Sequence, residues 1–382
     1  MGWLTANEAL ARLGTKPQTL YANVSRGRIR AKPDPADSRR SLYDADDVDR
    51  LAGHHAGRRK AEAVAADAMR WGDPILPSGI ATVAGGRLLY RGRDAAELAE
   101  TATLEDIAAL LWTQGAVELI STGPPIDESV PAWKRGLVAM AACAASDAPS
   151  YGRSPAILRA EARLVVSRLA DAMAGPSKIV QPLHKRLATA WRRPHAADAI
   201  RRTLVLMADH ELNASTFAAR VAVSTGAALS AGVLAGLATL SGPLHGGAAQ
   251  GAQALAQSAE AVGAEAAVRQ WLGQGRRIPA FGHRLYPEGD IRAAALLPHI
   301  DLAPAYADLI PVVERVVGEK ANVDFALAAL TVAFDLPVDA PLIIFALSRC
   351  VGWLAHGLEQ AETGHLIRPR AHYVGAAMPT EV

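Results

Sequence analysis

The sequence predicts a mainly α-helical body preceded by a small helix-turn-helix unit with a hairpin wing. Three observations carry this. Half of the 382 residues are hydrophobic, 20% are charged and only 5% are aromatic, while alanine, the residue that costs least in a helix, fills about a fifth of the chain. Only Ile80 to Arg91 holds a convincing strand signal, two short apolar runs around Gly85-Gly86, and almost everything from Asp94 onward reads helical. The first 60 residues hold 12 Lys and Arg against 7 Asp and Glu, whereas the rest hold 28 against 31. A small basic front end is therefore joined to a mildly acidic body, in a chain whose length suits two or three domains.

Taken in order, Thr5 and Glu8 form a capping box for a first helix with apolar Ala9, Leu10 and Leu13, which Gly14 ends. Pro17 stands at a good first helical position for a second helix running to Gly27. Ile29–Lys32, a turn through Pro33–Ser38 and Arg39–Tyr43 then read as a short hairpin, and Asp44 caps a third helix through Leu51. These elements make a unit over 1–53. Residues 54–72 are charged and Ala-rich with weak apolar periodicity, which suits a linker. Beyond the hairpin at 80–91, helical stretches are interrupted by Pro-Pro, Gly-Pro and Asp-Ala-Pro.

Composition excludes disorder, a collagen repeat and a disulfide scaffold. Cys143 and Cys350 lie in apolar contexts without metal-ligand spacing, as expected for a reduced cytoplasmic protein. The N-terminal MGWLTANEALARLG has no basic stretch leading into an apolar run, so no signal peptide is expected. Val221 to Ala259 contains no charged residue and imitates a membrane span. Its small residues and the following Gly-Pro-Leu-His-Gly-Gly fit a buried helix better, so no membrane partner is expected.

His, Asp and Arg concentrate in segments where core packing does not require them. These are Asp209-His210-Glu211, Gly242-Pro243-Leu244-His245-Gly246-Gly247, Phe281-Gly282-His283 with Asp290-Ile291-Arg292, and Asn322-Val323-Asp324. Arg349, Arg368 and Arg370 follow near the C-terminus. A single such histidine is more simply a satisfied core or cap residue. Three of them with an isolated Asp and several Arg on apolar segments are costly to bury unless they pair with each other or with a ligand. Asp209-His210-Glu211, and His356 with Glu359, lack the spacing of a zinc site, so no metal is expected. No GxSxG elbow, dinucleotide fingerprint or P-loop is present. Arginine donors with neutral histidines suit a small dicarboxylate, the first gripping carboxylates and the second polarising a keto oxygen.

From about Gly72 to Gly375 the chain resembles citrate synthase. The resemblance rests on GGRLLYRGRDAAELAE, LEDIAALLW, ADHELNASTFAAR, GPLHGG, FGHRLY with Arg292, NVDF, and FALSRCVGWLAHGLEQ with LIRPR, in the family's order. It implies a two-domain helical fold, with a large domain over 73–245 and 340–382 and a small one over 246–339. It also implies condensation of oxaloacetate with acetyl-CoA or propionyl-CoA as co-substrate, with no tightly bound cofactor. In that reading Asp324 takes a proton from the acyl group, His245 stabilises the enolate, and His283 polarises the ketone. His210, Arg292, Arg349 and Arg368 hold oxaloacetate, Arg368 through a neighbouring subunit, which implies a homodimer or higher homo-oligomer. The chain departs from the family at Pro287, at Ile291 within Asp290-Ile291-Arg292, and at Ala249. Pro287 replaces a basic residue expected near CoA phosphates.

Residues 1–50 resemble the MerR and excisionase type of helix-turn-helix through LTANEALARLG, KPQTLYANVSRGRIR and RRSLYDADDV. DNA binding would place Gln18, Thr19, Tyr21 and Asn23 near bases or phosphates, with Arg28, Arg30, Arg39 and Arg40 on the backbone. Two functions follow as alternatives. One is a condensing enzyme; the other is a DNA-binding regulator whose body senses oxaloacetate or acyl-CoA without turnover.

Overall fold

The computed structural model of the protein describes residues 3–13, 20, 23–24, 29–34, 37–48, 76–121, 123, 126–371 and 375, with 37–40 as backbone. The described residues fall into two compact units, divided after Pro77 and before Arg370.

In the first unit, β1 (Trp3–Leu4) leads into α1 (Ala6–Leu13), followed by β2 (Ala31–Asp34) and β3 (Asp37–Asp44). The capping box forms: the Thr5 amide donates to Glu8 Oε2 at 2.8 Å and the Glu8 amide to Thr5 Oγ1 at 3.4 Å. β2 and β3 pair antiparallel with Ala31 opposite Tyr43, and β1 joins the other edge of β3. Ala9, Leu13, Leu20, Ile29, Tyr43 and Val48 close a small core of their own. The helix expected over 17–27 falls mostly outside the described residues, as do Gln18, Thr19, Tyr21 and Arg28. The third helix is described over 45–48. Arg39 and Arg40 lie on β3, their side chains outside the description. Two expectations change. Asn23 is 6% exposed, so it is buried rather than offered to bases. The Arg30 guanidinium, its side chain 58% exposed, bridges Asp47 at 2.7 Å and Asp44 at 3.1 Å, so a phosphate there would compete with two carboxylates.

The second unit opens with an antiparallel sheet of β4 (Ala81–Ala84), β5 (Arg87–Tyr90) and β6 (Arg93–Asp94). Gly85 and Gly86 have φ of +57° and +74°, the two-residue turn that matches strand twist and favours glycine. Helices follow: α2 (Ala95–Leu98), α3 (Leu104–Leu111), α4 (Ala132–Ser146), α5 (Pro155–Ala174), α6 (Leu183–Ala190) and α7 (Ala197–Met207). Then come α8 (Ala214–Ser224), α9 (Leu229–Leu240), α10 (Ala248–Val262), α11 (Ala264–Gly273) and α12 (Ile291–Leu296). The last are α13 (Pro304–Val317), α14 (Val323–Ala333) and α15 (Ala340–Thr363). Starts are set by local chemistry, as where Thr103 and Asp106 form a reciprocal cap on α3, and Ser154 caps α5 ahead of Pro155.

The main core is built around α15, with α3, α5, α7, α8 and α9 against it. A second cluster joins α10, α11, α13 and α14 through Leu255, Trp271, Leu309 and Phe325. Small residues earn their frequency at the helix contacts. A Cβ on Gly236 of α9 would lie 2.7 Å from the Trp353 indole, and one on Gly352 would collide with the Ala208 carbonyl and Asp209. The uncharged stretch 221–259 is divided among α8, α9 and α10, and α9 buries Leu229, Val233, Leu237 and Leu240. Among the described residues the one helix long and apolar enough to cross a membrane is α15, and 94% of its most apolar window is buried inside the protein.

Candidate active site

Four segments converge at the ends of helices. The first follows α7, where Asp209-His210-Glu211 makes a turn with Glu211 at φ +52°, a costly conformation for a side chain with a Cβ. That turn is held from two sides. The Tyr90 hydroxyl donates toward the Val205 carbonyl at 3.0 Å and accepts the Asp209 amide at 3.3 Å. Glu211 Oε1 accepts the Val83 amide at 2.6 Å, tying the turn to β4. The result is a buried His210, whose Nε2 shares a 3.0 Å hydrogen bond with the Tyr286 hydroxyl.

His245 sits in the turn between α9 and α10. Gly246 and Gly247 are required there, since a Cβ on the first would strike the Leu240 carbonyl and one on the second would lie 2.7 Å from the Pro243 carbonyl oxygen. His245 Nε2 is 2.8 Å from Ser215 Oγ. Ser215 also accepts the Trp353 indole N–H at 3.2 Å and donates to Asn213 Oδ1, the cap of α8, at 2.8 Å. A hydroxyl has one hydrogen, so its direction sets the His245 tautomer.

The third and fourth segments are stitched together. The Gly282 amide donates to the Lys320 carbonyl at 2.8 Å, the Asn322 amide to the Ala280 carbonyl at 3.0 Å, and Asn322 Nδ2 to the Gly282 carbonyl at 3.0 Å. His283 and Asp324 follow directly on this short ribbon. The Leu285 amide donates to His283 Nδ1 at 3.2 Å, so the neutral ring carries its proton on Nε2. His283 stands edge-on to His210, with ring centroids 5.2 Å apart. Asp290 caps α12 and grips Arg292 through two bonds, of 3.0 Å and 2.8 Å, while also accepting the Val323 amide at 3.0 Å. One carboxylate thus orients the arginine and joins the starts of α12 and α14.

Electrostatics follow from burial. Burial, then the Arg349 charge, lowers His245 to about 4, and burial with the Arg292 charge does the same to His283. Burial and the surrounding cations hold His210 well below its ordinary value. All three are neutral at pH 7. Asp324 moves oppositely: burial raises its carboxyl to about 6, with Asp290 adding and Arg292 and Arg349 opposing. Arg349 is lowered to about 10 by burial, and its Nε donates to the Met207 carbonyl at 2.8 Å. Its charge acts on His210, His245 and Asp324 alike, which places them in one electrostatic neighbourhood.

The structure therefore brings together His210, His245, His283, Arg292, Asp324 and Arg349. Arg368 is not among them: it is exposed on the segment after α15, where the Ile367 amide donates to Ser224 Oγ at 3.1 Å. The zinc lookalikes are engaged elsewhere. His356 lies 3.4 Å from Asp209 and 3.2 Å from the Arg220 guanidinium, and Glu359 pairs with Arg220 at 2.7 Å. No group of three or more potential ligands for a metal is found among the described residues. Sequence reasoning assigned no part to Ser215, Tyr286 or Asp290. Asp290 carried a signal, an acidic residue two before an arginine at a helix start, whereas Ser215 and Tyr286 matter through partners 30 and 76 residues away.

A family model described as "Citrate synthase, C-terminal domain" matches residues 130–370. The chain is 41% identical over 193 residues to citrate synthase 2 of Bacillus subtilis, covering 48% of this chain and 52% of that one. It is 39% identical over 191 residues to citrate synthase of Haloferax volcanii, covering 47% and 50%. The chain thus spans about half the length of these curated relatives. Among solved structures, the citrate synthase of Thermoplasma acidophilum, in a ternary complex with carboxymethyl coenzyme A and oxaloacetate, superposes with a TM-score of 0.65 at 25% identity. That superposition covers 81% of this chain and 96% of that one. With the family model matching residues 130–370 and the helical fold in agreement, the chain belongs to the citrate synthase family.

Proposed function

We propose that the second unit condenses oxaloacetate with acetyl-CoA or propionyl-CoA, yielding citrate or 2-methylcitrate and CoA. The observation that carries this reading is the pairing of a raised carboxylate, Asp324, with neutral histidines and the two buried arginines Arg292 and Arg349. Asp324 removes a proton from the carbon next to the thioester carbonyl, and the electron pair moves onto the carbonyl oxygen. His245 stabilises that oxygen with an N–H. For its Nδ1 to be the donor, the Ser215 hydroxyl must turn its hydrogen from Asn213 Oδ1 to His245 Nε2. The enolate carbon attacks the keto carbon while His283 Nε2–H polarises the keto oxygen and supplies its proton. Water then cleaves the thioester and releases CoA.

His210, Arg292 and Arg349 hold the oxaloacetate carboxylates, and exposed Arg368 serves the site of a second subunit in a homodimer. The relative from Thermoplasma acidophilum, bound to oxaloacetate and a CoA derivative, supports this choice of ligands. Closure of a small domain, 246–339, over a large one formed by 73–245 and 340–382 would exclude water until the carbon–carbon bond has formed. Near Pro287, basic groups for CoA phosphates are the exposed Arg284 and Lys320, whose Nζ donates to the Glu288 carbonyl at 3.0 Å. The test is thiol release from each acyl-CoA with oxaloacetate. CoA freed well above background with one donor is expected; no release with either donor sinks the enzyme reading and leaves the sensor.

The first unit carries a second reading, a winged helix-turn-helix that binds DNA. The capped α1, the β2–β3 hairpin and the separate core support it. Since Asn23 is buried and Arg30 is paired with Asp44 and Asp47, the contacts fall to Gln18, Thr19, Tyr21, Arg28, Arg39 and Arg40. Binding to genomic fragments across a salt series is expected to show steep salt dependence with a sequence-selective part surviving at physiological salt. Loss of all binding at that salt counts against it.

A further inference from the structure

We propose that Tyr286 is a positioning residue for the keto acid: its hydroxyl fixes one tautomer and one orientation of His210, so that His210 meets the dicarboxylate with a defined N–H. This rests on the condensation reading above. Tyr286 is 2% exposed, on the loop between His283 and Asp290. Its ring lies 5.6 Å from the His210 ring and 5.0 Å from the His283 ring, and the Arg292 guanidinium lies 5.5 Å from its centroid. It therefore touches three of the groups assigned to the substrate while its hydroxyl bonds to one of them, His210 Nε2, at 3.0 Å.

Phenylalanine would fill the same apolar space. What tyrosine adds is one hydroxyl, and a buried phenol is stable only with a hydrogen-bond partner. Burial pushes the phenol pKa up, so the group keeps its hydrogen, and His210 is neutral. A neutral imidazole has one N–H and one lone pair. The direction that serves an anion is Tyr286 O–H to Nε2, which leaves the His210 proton on Nδ1 as a donor. With the bond reversed, His210 would present a bare lone pair to a carboxylate or keto oxygen. The Leu285 amide performs the equivalent task for His283 by occupying Nδ1. Two residues of one loop thus set the protonation pattern of both histidines.

The test compares oxaloacetate binding by calorimetry, without acyl-CoA, in the wild type, Tyr286→Phe, His210→Ala and the double variant. Tyr286→Phe is expected to weaken oxaloacetate binding and raise its KM about tenfold, the value of one hydrogen bond to a recognition group. The KM for acyl-CoA stays unchanged. In the His210→Ala background the same change has no further effect, because the group it orients is gone. Nitrogen-15 NMR of His210 in the wild type is expected to show a single tautomer protonated on Nδ1, a reading that does not depend on any variant folding. No oxaloacetate binding by the wild type overturns the condensation reading and this role with it. Wild-type binding that Tyr286→Phe leaves intact, an equal loss in the His210→Ala background, or a mixture of His210 tautomers overturns the role of Tyr286 alone.

Discussion

Asp324→Asn is expected to lower kcat for condensation by about 10³-fold, the usual range for removing a general base, while oxaloacetate still binds with its wild-type affinity. The amide retains the size of the side chain and leaves the Asn322 cap on the Asp324 amide in place. It removes only the proton acceptor. Calorimetry and thiol release together separate the two effects, and a variant that retains a tenth of the wild-type rate would refute the assignment of Asp324 as base. The acid side of the pH profile follows from the same residue. A base must be ionised to act, and Asp324 titrates at about 6, so kcat/KM should fall as the pH drops through about 6. His245 and His283 do not set that limb, since both stay neutral down to about 4.

The raised carboxyl also has a stability consequence with a definite sign. Asp324 titrates at 3.8 in the reference state and at about 6 when folded. Its favourable contribution is present in full below about pH 4 and is lost as the pH rises through about 6, where the buried group is forced to ionise. Asparagine has no such dependence. Asp324→Asn should therefore melt higher than the wild type at pH 8, by up to about 3 kcal/mol of stability, and equally at pH 4. A residue selected for packing would not be improved by losing its charge, so a gain on the alkaline side alone marks a function–stability trade-off.

How much of this was legible in the sequence depends on whether the signal is local. The Thr5–Glu8 cap and the Gly85-Gly86 hairpin are written within a few consecutive residues, and both form. The buried histidines and arginines were visible because charge is rare in such apolar segments. Ser215 was not, because nothing in its neighbourhood announces that it will meet His245 from one side and Trp353 from another. Similarly, the uncharged stretch 221–259 imitates a membrane span in sequence, although the helix with a membrane-like composition among the described residues is α15. Arg349 and His356 made α15 look less apolar than its burial requires. Arg349 Nε is met by the Met207 carbonyl, and His356 by Asp209 and Arg220, partners that exist only after packing. The Arg30 ion pairs with Asp44 and Asp47 are of the same kind, since a count of positive charges cannot tell which are already neutralised.

Asp290→Ala should have the largest effect on stability, about 3–5 kcal/mol, the range for breaking a buried ion pair from one side. The carboxylate is fully enclosed and serves several donors: Nε and Nη2 along one edge of the Arg292 guanidinium, the Arg292 amide and the Val323 amide. Burial alone would raise the Asp290 carboxyl, yet Arg292 and the amide bonds hold it below its ordinary value. Alanine leaves Arg292 buried without its counter-charge, strips the cap from α12 and frees the amide that links α12 to α14. Asp290→Asn is the informative companion, because it keeps an acceptor for the cap while removing the charge. Its loss of stability should fall between those of the wild type and Asp290→Ala in denaturant melts, with a raised KM for oxaloacetate because Arg292 is no longer gripped in the bidentate manner. If Asp290→Ala unfolds within about 1 kcal/mol of the wild type, the level of a single ordinary hydrogen bond, the pair is not the structural hinge between the two helices. The placement of Arg292 would then have to come from Tyr286 and the surrounding core instead.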